Sequence, residues 1–153
     1  MAFLTIQELK TVAKTEHVQV IAGMDDTIIQ ECVNSGITEV MSRLTPSTKR
    51  NSFDGRQRYD VQAIFAKEGD QRHALILSYT KIVALWHLII RGNAGIHYEV
   101  IQDRYDRAVA YMTALADGDA TDLTLPTLPD EGNETGNKPN PFRMGSRRKF
   151  NHE

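Results

Sequence analysis

Apolar residues recur every three or four positions along two long stretches of the chain, and this spacing predicts amphipathic helices. The stretches cover residues 28–44 and 98–115. Asp25 and Asp26 precede the first of them, where an N-cap and a first-turn acid stabilise the orphan N–H groups of a helix. Pro46 predicts its end, because proline disfavours helical backbone in the residue before it.

The segment 74–90 lies between these stripes and has a different pattern. Most of its residues are apolar, so the surface of a helix here is apolar nearly all round. A membrane span needs about 20 apolar residues, and this segment is shorter and carries Lys81 near its middle. The pattern therefore predicts a central helix packed on several sides by other helices, with Asp70 as its N-cap.

Shorter elements flank these three helices. Thr5 and Glu8 have the spacing of a capping box, which predicts a short helix that continues to about Ala13. Residues 60–65 predict another short helix, and Gly118 predicts the end of the last one. Between residues 45 and 58 the composition is polar and basic, which predicts a loop or short hairpin that carries Lys49, Arg50, Arg56 and Arg58.

Together these elements predict an all-α fold. It is a small helical bundle with a long central apolar helix, a polar basic loop and an extended C-terminal arm. The helical domain covers residues 1–118 and the arm covers residues 119–153. The arm has four of the five prolines and few apolar residues, so packing on itself would not offset the entropy of ordering it.

Charge divides the chain in the same place. The whole chain has 18 Lys+Arg and 20 Asp+Glu, which gives a net charge of −2 and disfavours a general nucleic-acid coat. Residues 1–118 have 13 bases and 14 acids, residues 119–137 have five acids and no base, and residues 138–153 have five bases and one acid. We call 119–137 the acidic block and 138–153 the basic block.

The sequence shows no candidate site for catalysis. The five histidines have no metal-ligand spacing, and a single cysteine, Cys32, excludes an internal disulfide and indicates a reducing cytoplasm. His87 is the histidine expected to be buried, as a hydrogen-bonded core residue. Cys32 lies on an apolar stripe, where a cysteine acts as a small hydrophobe. No secretory signal is found at the N-terminus, and the sequence predicts no cofactor, no metal and no enzyme activity.

The basic block carries the clearest binding signal. Two phenylalanines alternate with cations in a segment that cannot bury them on itself. Such a segment is either a solvated chain end or a peptide that folds on a partner, where the aromatic rings fill pockets and the cations meet an acidic or phosphate surface. The candidate residues are Phe142, Arg143, Arg147, Arg148, Lys149 and Phe150.

The order of the segments resembles a known family. The resemblance rests on Phe3-Leu4-Thr5 with Glu8-Leu9, Asp25-Asp26-Thr27-Ile28-Ile29, Tyr59 to Phe65, Arg72-His73-Ala74-Leu75 through Trp86-His87-Leu88, Arg104 to Ala108, and Gly145 to His152. In this order and spacing the chain is similar to the head-to-tail connector adaptors of tailed bacteriophages, small helical structural proteins related to a Mu protein of unknown function.

The resemblance implies a virion component without enzyme activity. It would form a homo-oligomeric ring, expected to be twelve-fold, beneath the portal, and would be assembled in the host cytoplasm with no membrane involved. The ring would extend the channel, through which packaged DNA passes without sequence-specific binding, and would offer a docking surface to the next neck or tail protein. The six candidate residues of the basic block would bind the portal protein, and Lys49, Arg50, Arg56 and Arg58 would contact a neighbour, the channel or the next ring.

Two alternatives remain. One is a head-completion or stopper ring, one level further from the portal. The other is a small helical nucleic-acid-binding protein that uses the basic block and the basic loop on phosphate.

Overall fold

The computed structural model of the chain describes residues 3–9, 11–13, 18, 21–23, 25–45, 58–91 and 98–128. Within these residues the chain forms five helices with defined bounds, a 3-10 turn and further helical residues at Val18, Ile21 and Ala22, with no β-strand, so the predicted all-α class is confirmed. The helices are α1 (Ile6–Leu9), α2 (Asp26–Leu44), α3 (Val61–Phe65), α4 (Ala74–Arg91) and α5 (Tyr98–Asp117), and the 3-10 turn, Gly69–Gln71, lies between α3 and α4.

Three helices begin where the sequence predicts. The Glu8 carboxylate accepts from the Thr5 backbone N–H at 3.0 Å, and the Thr5 hydroxyl accepts in return from the Glu8 N–H. Asp25 accepts from the Thr27 N–H at 2.9 Å at the start of α2. Asp60 does the same for the Ala63 N–H at the start of α3. These side chains satisfy backbone donors that a helix leaves without an internal partner.

The N-terminus of α4 differs from the prediction. Asp70 lies in the 3-10 turn and is not the cap of α4. The residue that precedes α4 is His73, whose Nδ1 accepts from the Ile76 N–H at 3.3 Å. An imidazole nitrogen therefore takes the acceptor role that the sequence assigned to a carboxylate, because residues 69–71 turn the chain before α4 begins.

The core is built by α2, α4 and α5, which run in alternating directions. Arg91 at the end of α4 contacts Glu31 near the start of α2, at 3.3 Å. Towards the other end of α4, the ring of Tyr79 lies 5.2 Å from that of Tyr111 near the end of α5. The central helix predicted from composition is thus confirmed, with seven of its residues buried: Ile76, Thr80, Val83, Ala84, Leu85, Leu88 and Ile89.

Helices α2 and α4 approach each other closely at Gly36. A Cβ placed on Gly36 would lie 2.8 Å from the Cα and the backbone nitrogen of Ala84. That is closer than atoms can approach without a shift of one helix. The glycine that interrupts the apolar pattern of α2 is therefore a contact point between two core helices.

Among the described residues, one helix, α4, is long and apolar enough to cross a membrane. In the bundle it is covered by α2 on one side and α5 on another, and its one buried polar side chain, Thr80, donates to the Ile76 carbonyl at 2.7 Å. Packing between two helices accounts for its apolar composition.

An arginine ties the N-terminal segment to the start of α4. Arg72 Nη1 donates to the Phe3 carbonyl at 2.7 Å and to Glu8 Oε2 at 3.0 Å, and Nη2 donates to Glu8 Oε1. This two-pronged pairing is the strong form of an arginine–carboxylate contact. The Arg72 hydrogen bonds, opposed by partial burial and helped by Thr5, lower the pKa of Glu8 from 4.5 to about 2.

We expect Glu8→Gln to flatten the acid limb of the stability profile. The folded-state pKa of Glu8 is depressed, so its contribution is present above the usual glutamate pKa and is lost as pH falls from about 4.5 towards 2. Since the pair is partly solvated, the contribution is about 1 kcal/mol. Urea unfolding followed by circular dichroism at pH 7, 4 and 2.5 measures it. A profile with the same slope in both proteins would contradict the assignment.

Candidate interaction surface at the root of the C-terminal arm

The C-terminal arm does not leave the body at the end of α5. Gly118, with φ of 82°, ends the helix in the left-handed conformation that glycine favours, as the sequence predicts. Residues 119–128, which we call the strap, then run back across the start of α3 and α4. Leu125 of the strap is only 4% exposed and belongs to the same core cluster as Ile76 and Met112.

Backbone hydrogen bonds pair the end of the strap with the residues before α3. The Asp60 N–H donates to the Pro126 carbonyl and the Leu128 N–H donates to the Arg58 carbonyl, both at 2.8 Å. They flank an antiparallel bridge between Tyr59 and Thr127. Tyr59 is 2% exposed, so this short ladder is anchored in the core.

A histidine holds the middle of the strap. His73 Nε2 lies 2.8 Å from Thr124 Oγ1 and 3.2 Å from Asp122 Oδ2. Because Nδ1 accepts from the helix N–H, the neutral ring carries its proton on Nε2, which donates towards the strap. The backbone N–H of Asp122 also donates to the Tyr59 hydroxyl at 2.8 Å. The strap is therefore latched to the N-terminus of α4 by side chains as well as by its backbone.

The surroundings of the contact between His73 and the strap favour the ionised form of Asp122. Hydrogen bonds from Thr124, opposed by partial burial and supported by His73, hold the pKa of Asp122 below its usual value. Burial, together with the nearby Asp122 charge, raises the pKa of Tyr111. At neutral pH an ionised Asp122 thus lies beside a neutral Tyr111.

The boundary between body and arm needs a correction. The sequence assigned residues 119–153 to the arm because this segment has few apolar residues. Leu125 fills a core position and the ladder satisfies the backbone of the strap, so residues 119–128 pack with the helical body. Residues 129–153 lie outside the described part of the chain, and their assignment to an arm stays a prediction.

We expect a chain that ends at Gly118 to be less stable than one that ends at Leu128. The shorter chain lacks Leu125 and the latch to His73, and exposing the Leu125 site costs about 2 kcal/mol. Urea unfolding of both chains, compared with the full-length protein, measures the difference. If the two truncated chains unfold at the same urea concentration, the strap contributes nothing to the fold.

Most of the predicted binding residues lie outside the described residues. This holds for the six candidates of the basic block, Phe142, Arg143, Arg147, Arg148, Lys149 and Phe150, and for Lys49, Arg50 and Arg56 of the basic loop. Arg58 is described, half-buried, and pairs with Leu128 through its backbone. The end of the basic loop and the end of the strap are therefore adjacent on the body.

Three exposed leucines lie on the strap and in the first turn of α4. Leu123 of the strap is 86% exposed, Leu128 is 42% exposed, and Leu75 in the first turn of α4 is 37% exposed. Leu75 and Leu123 each lie within two residues of the contact between His73 and the strap. Residues 58–73 have three bases and three acids, while residues 117–128 add three acids and no base. Residues 58–75 and 117–128 thus combine exposed leucines with a net negative charge, and we call the surface that they form the root surface.

A second polar cluster joins the three core helices. Glu39 Oε1 accepts from Arg43 Nε at 2.8 Å and from the Tyr105 hydroxyl at 2.7 Å, and Glu39 Oε2 lies 2.8 Å from His87 Nε2. The Trp86 ring stacks on Tyr105 with centroids 5.1 Å apart. Burial alone would raise the pKa of Glu39, but hydrogen bonds from Tyr105, Arg43 and His87 outweigh it, and the pKa lies below its usual value.

Two histidine–carboxylate pairs are therefore present where the sequence showed none. His73 pairs with Asp122 and His87 with Glu39, each between positions far apart in the chain. A catalytic pair needs one ring nitrogen directed at a reacting group. His73 uses both nitrogens for the fold, and Glu39 is shared among three donors on three helices. Both pairs hold elements of the fold together.

The predictions for individual histidines and the cysteine have mixed outcomes. The His87 side chain is 29% exposed and hydrogen-bonded, but that of His73, at 19%, is the less exposed of the two. His17, His97 and His152 lie outside the described residues. Cys32 is buried, as predicted, and burial raises the pKa of its thiol. Within the described ranges, no group of three or more His, Cys, Asp or Glu residues is arranged to hold a metal ion.

Comparison of the chain with protein-family models, with curated proteins and with solved structures gives no significant match. The surface at the root of the arm is therefore interpreted from its own residues.

Proposed function

We propose that this chain is a structural assembly protein of a tailed-phage virion, a head-to-tail connector adaptor that forms a ring beneath the portal. The observation that carries the proposal is the latched strap. It fixes the position of Leu128 on a helical body, and the sequence that follows it, residues 129–153, includes the basic block with its two phenylalanines. The identity of the partner rests on the family resemblance in the order of the segments.

The adjacent ends of the basic loop and the strap support the same role. Arg58 and Leu128 are hydrogen-bonded, so the last residue of the basic loop lies beside the last residue of the strap at one end of the bundle. A body held by apolar packing, with His73 and His87 used for contacts within the fold, is suited to present segments to a partner. In this proposal the basic block binds the portal protein, Phe142 and Phe150 fill apolar sites, and the arginines meet carboxylates.

Electron microscopy of the full-length chain mixed with purified portal particles tests the proposal. We expect an added ring with the symmetry of the portal. A chain that ends at Lys138 should keep its helical circular dichroism and lose the added ring. The matched control is a full-length chain in which the order of residues 139–153 is scrambled, which keeps the charge and composition of the segment.

The outcomes separate the alternative functions. A ring that forms with the truncated chain would remove the basic block from portal binding. Binding only to portal particles that already carry another neck protein would identify a stopper. Tight binding to naked DNA that weakens steeply with salt, without a ring on the portal, would favour a nucleic-acid-binding protein.

A further inference from the structure

The root surface is complementary in charge to a segment of the same chain. Together with Glu8, which pairs with Arg72, residues 58–73 and 117–128 have three bases and seven acids, a net charge of −4. The basic block has a net charge of +4, from five bases and one acid. The surface also exposes Leu75, Leu123 and Leu128, and the basic block carries two phenylalanines.

The length of the chain between the strap and the basic block allows the basic block to reach the root surface. The described chain ends at Leu128, within the root surface, and nine residues separate it from Lys138, the first residue of the basic block. Nine extended residues span about 30 Å, so the basic block reaches any part of the root surface. A connection of this length gives a local concentration in the millimolar range, which exceeds that of a second copy at micromolar protein.

We infer that in the free chain the basic block docks on the root surface of its own body. Phe142 and Phe150 cover the exposed leucines, and Arg147, Arg148 and Lys149 face the acids of residues 117–122. The inference rests on the proposed function in one respect. The residues of the basic block that contact the root surface in the free chain are the ones that bind the portal protein, so the portal must displace this contact. The contact would keep the free protein from associating through its leucines before the portal is present.

The opposite end of the bundle provides the control. Ile90 and Tyr98 are 54% and 46% exposed there, and the Tyr98 ring lies 5.0 Å from that of Trp86. Asp26 is exposed in the first turn of α2 at the same end. This end also has apolar and acidic residues, but most of the length of α4, about 22 Å, separates Ile90 from Leu75.

Photo-crosslinking of the purified full-length chain tests the inference. Phe142 or Phe150 is replaced by p-benzoylphenylalanine, and equal amounts of ordinary and ¹⁵N-labelled chains are mixed at about 10 µM and irradiated. We expect crosslinks within one chain, to peptides that contain residues 58–75 or 117–128. Their yield should fall at least threefold in 1 M salt, since the Debye length shrinks from about 8 Å at 0.15 M to about 3 Å.

Variants make the test specific. Asp70→Asn with Asp119→Asn, or Leu123→Ser, should lower the yield at least threefold, because these exposed residues form part of the root surface. Asp26→Asn with Ile90→Ser, at the opposite end, should leave the yield unchanged. All these side chains are exposed, so circular dichroism should be unaltered.

Three results would overturn the inference. Crosslinks between ordinary and labelled chains would assign the surface to a second copy. Crosslinks to residues 86–101 would place the basic block at the opposite end. The absence of crosslinks to the body would show that the block is undocked. Each of these results is independent of ring formation on the portal, so the proposed function stands or fails separately.

Discussion

The Gly36→Ala variant is expected to lose about 3 kcal/mol of unfolding free energy, the cost of overpacking a tight core contact. In an exposed helix the same exchange stabilises a protein by about 1 kcal/mol. Here the added Cβ meets the Cα and the backbone nitrogen of Ala84 at 2.8 Å, so α2 and α4 must move apart along their contact. Chemical unfolding followed by circular dichroism measures the loss.

The neighbouring residue provides the matched control. Ser35 is exposed on the same helix, and Ser35→Ala should change stability by at most about 0.5 kcal/mol, towards stabilisation. Adding Ala84→Gly to Gly36→Ala should restore only part of the loss, because two of the three close contacts are to backbone atoms. A stabilised Gly36→Ala variant would show that the two helices do not cross here.

The Glu39→Ala variant is expected to lose a similar amount, about 3 kcal/mol. The substitution leaves the Arg43 guanidinium, the Tyr105 hydroxyl and the His87 ring without their shared acceptor at the junction of three helices. Because the folded pKa of Glu39 is depressed, this contribution is present above the usual glutamate pKa and is lost as pH falls below it. Fluorescence of Trp86, the one tryptophan, reports the change directly, since its ring stacks on Tyr105.

Glu31→Ala is the control for this prediction. Glu31 also pairs with an arginine, in this case Arg91 of another helix, but the two side chains are 71% and 54% exposed. Solvent screens such a pair, and its loss should cost at most about 0.5 kcal/mol. If both variants lose the same stability, the Glu39 cluster has no special role at the junction.

Local rules account for what the sequence predicted well. The starts of α1, α2 and α3 follow from Thr5, Asp25 and Asp60, which bind backbone N–H groups two or three residues away. Asp103 and Arg107 form an i,i+4 ion pair at 2.9 Å, and Gly118 ends the last helix as predicted. Each of these depends on a few consecutive residues, which the sequence shows directly.

The root surface could be identified only from the tertiary structure. In the sequence His73 is only a flanking residue of α4, because Thr124 and Asp122, which hold it, lie far along the chain in a segment with few apolar residues. One signal was available: Leu123, Leu125 and Leu128 lie close together in an otherwise polar stretch. Leu125 is buried and the other two are exposed, and no local pattern separates them.

The sequence by itself determined the all-α class, the capped helix starts and the separation of acidic from basic charge near the C-terminus. These features depend on periodicity, on nearest neighbours and on composition. The tertiary structure decided where the body ends, why α2 has a glycine at position 36, and which carboxylates pair with His73 and His87. Those features depend on distances between residues far apart in the chain, which are set only when the three core helices pack.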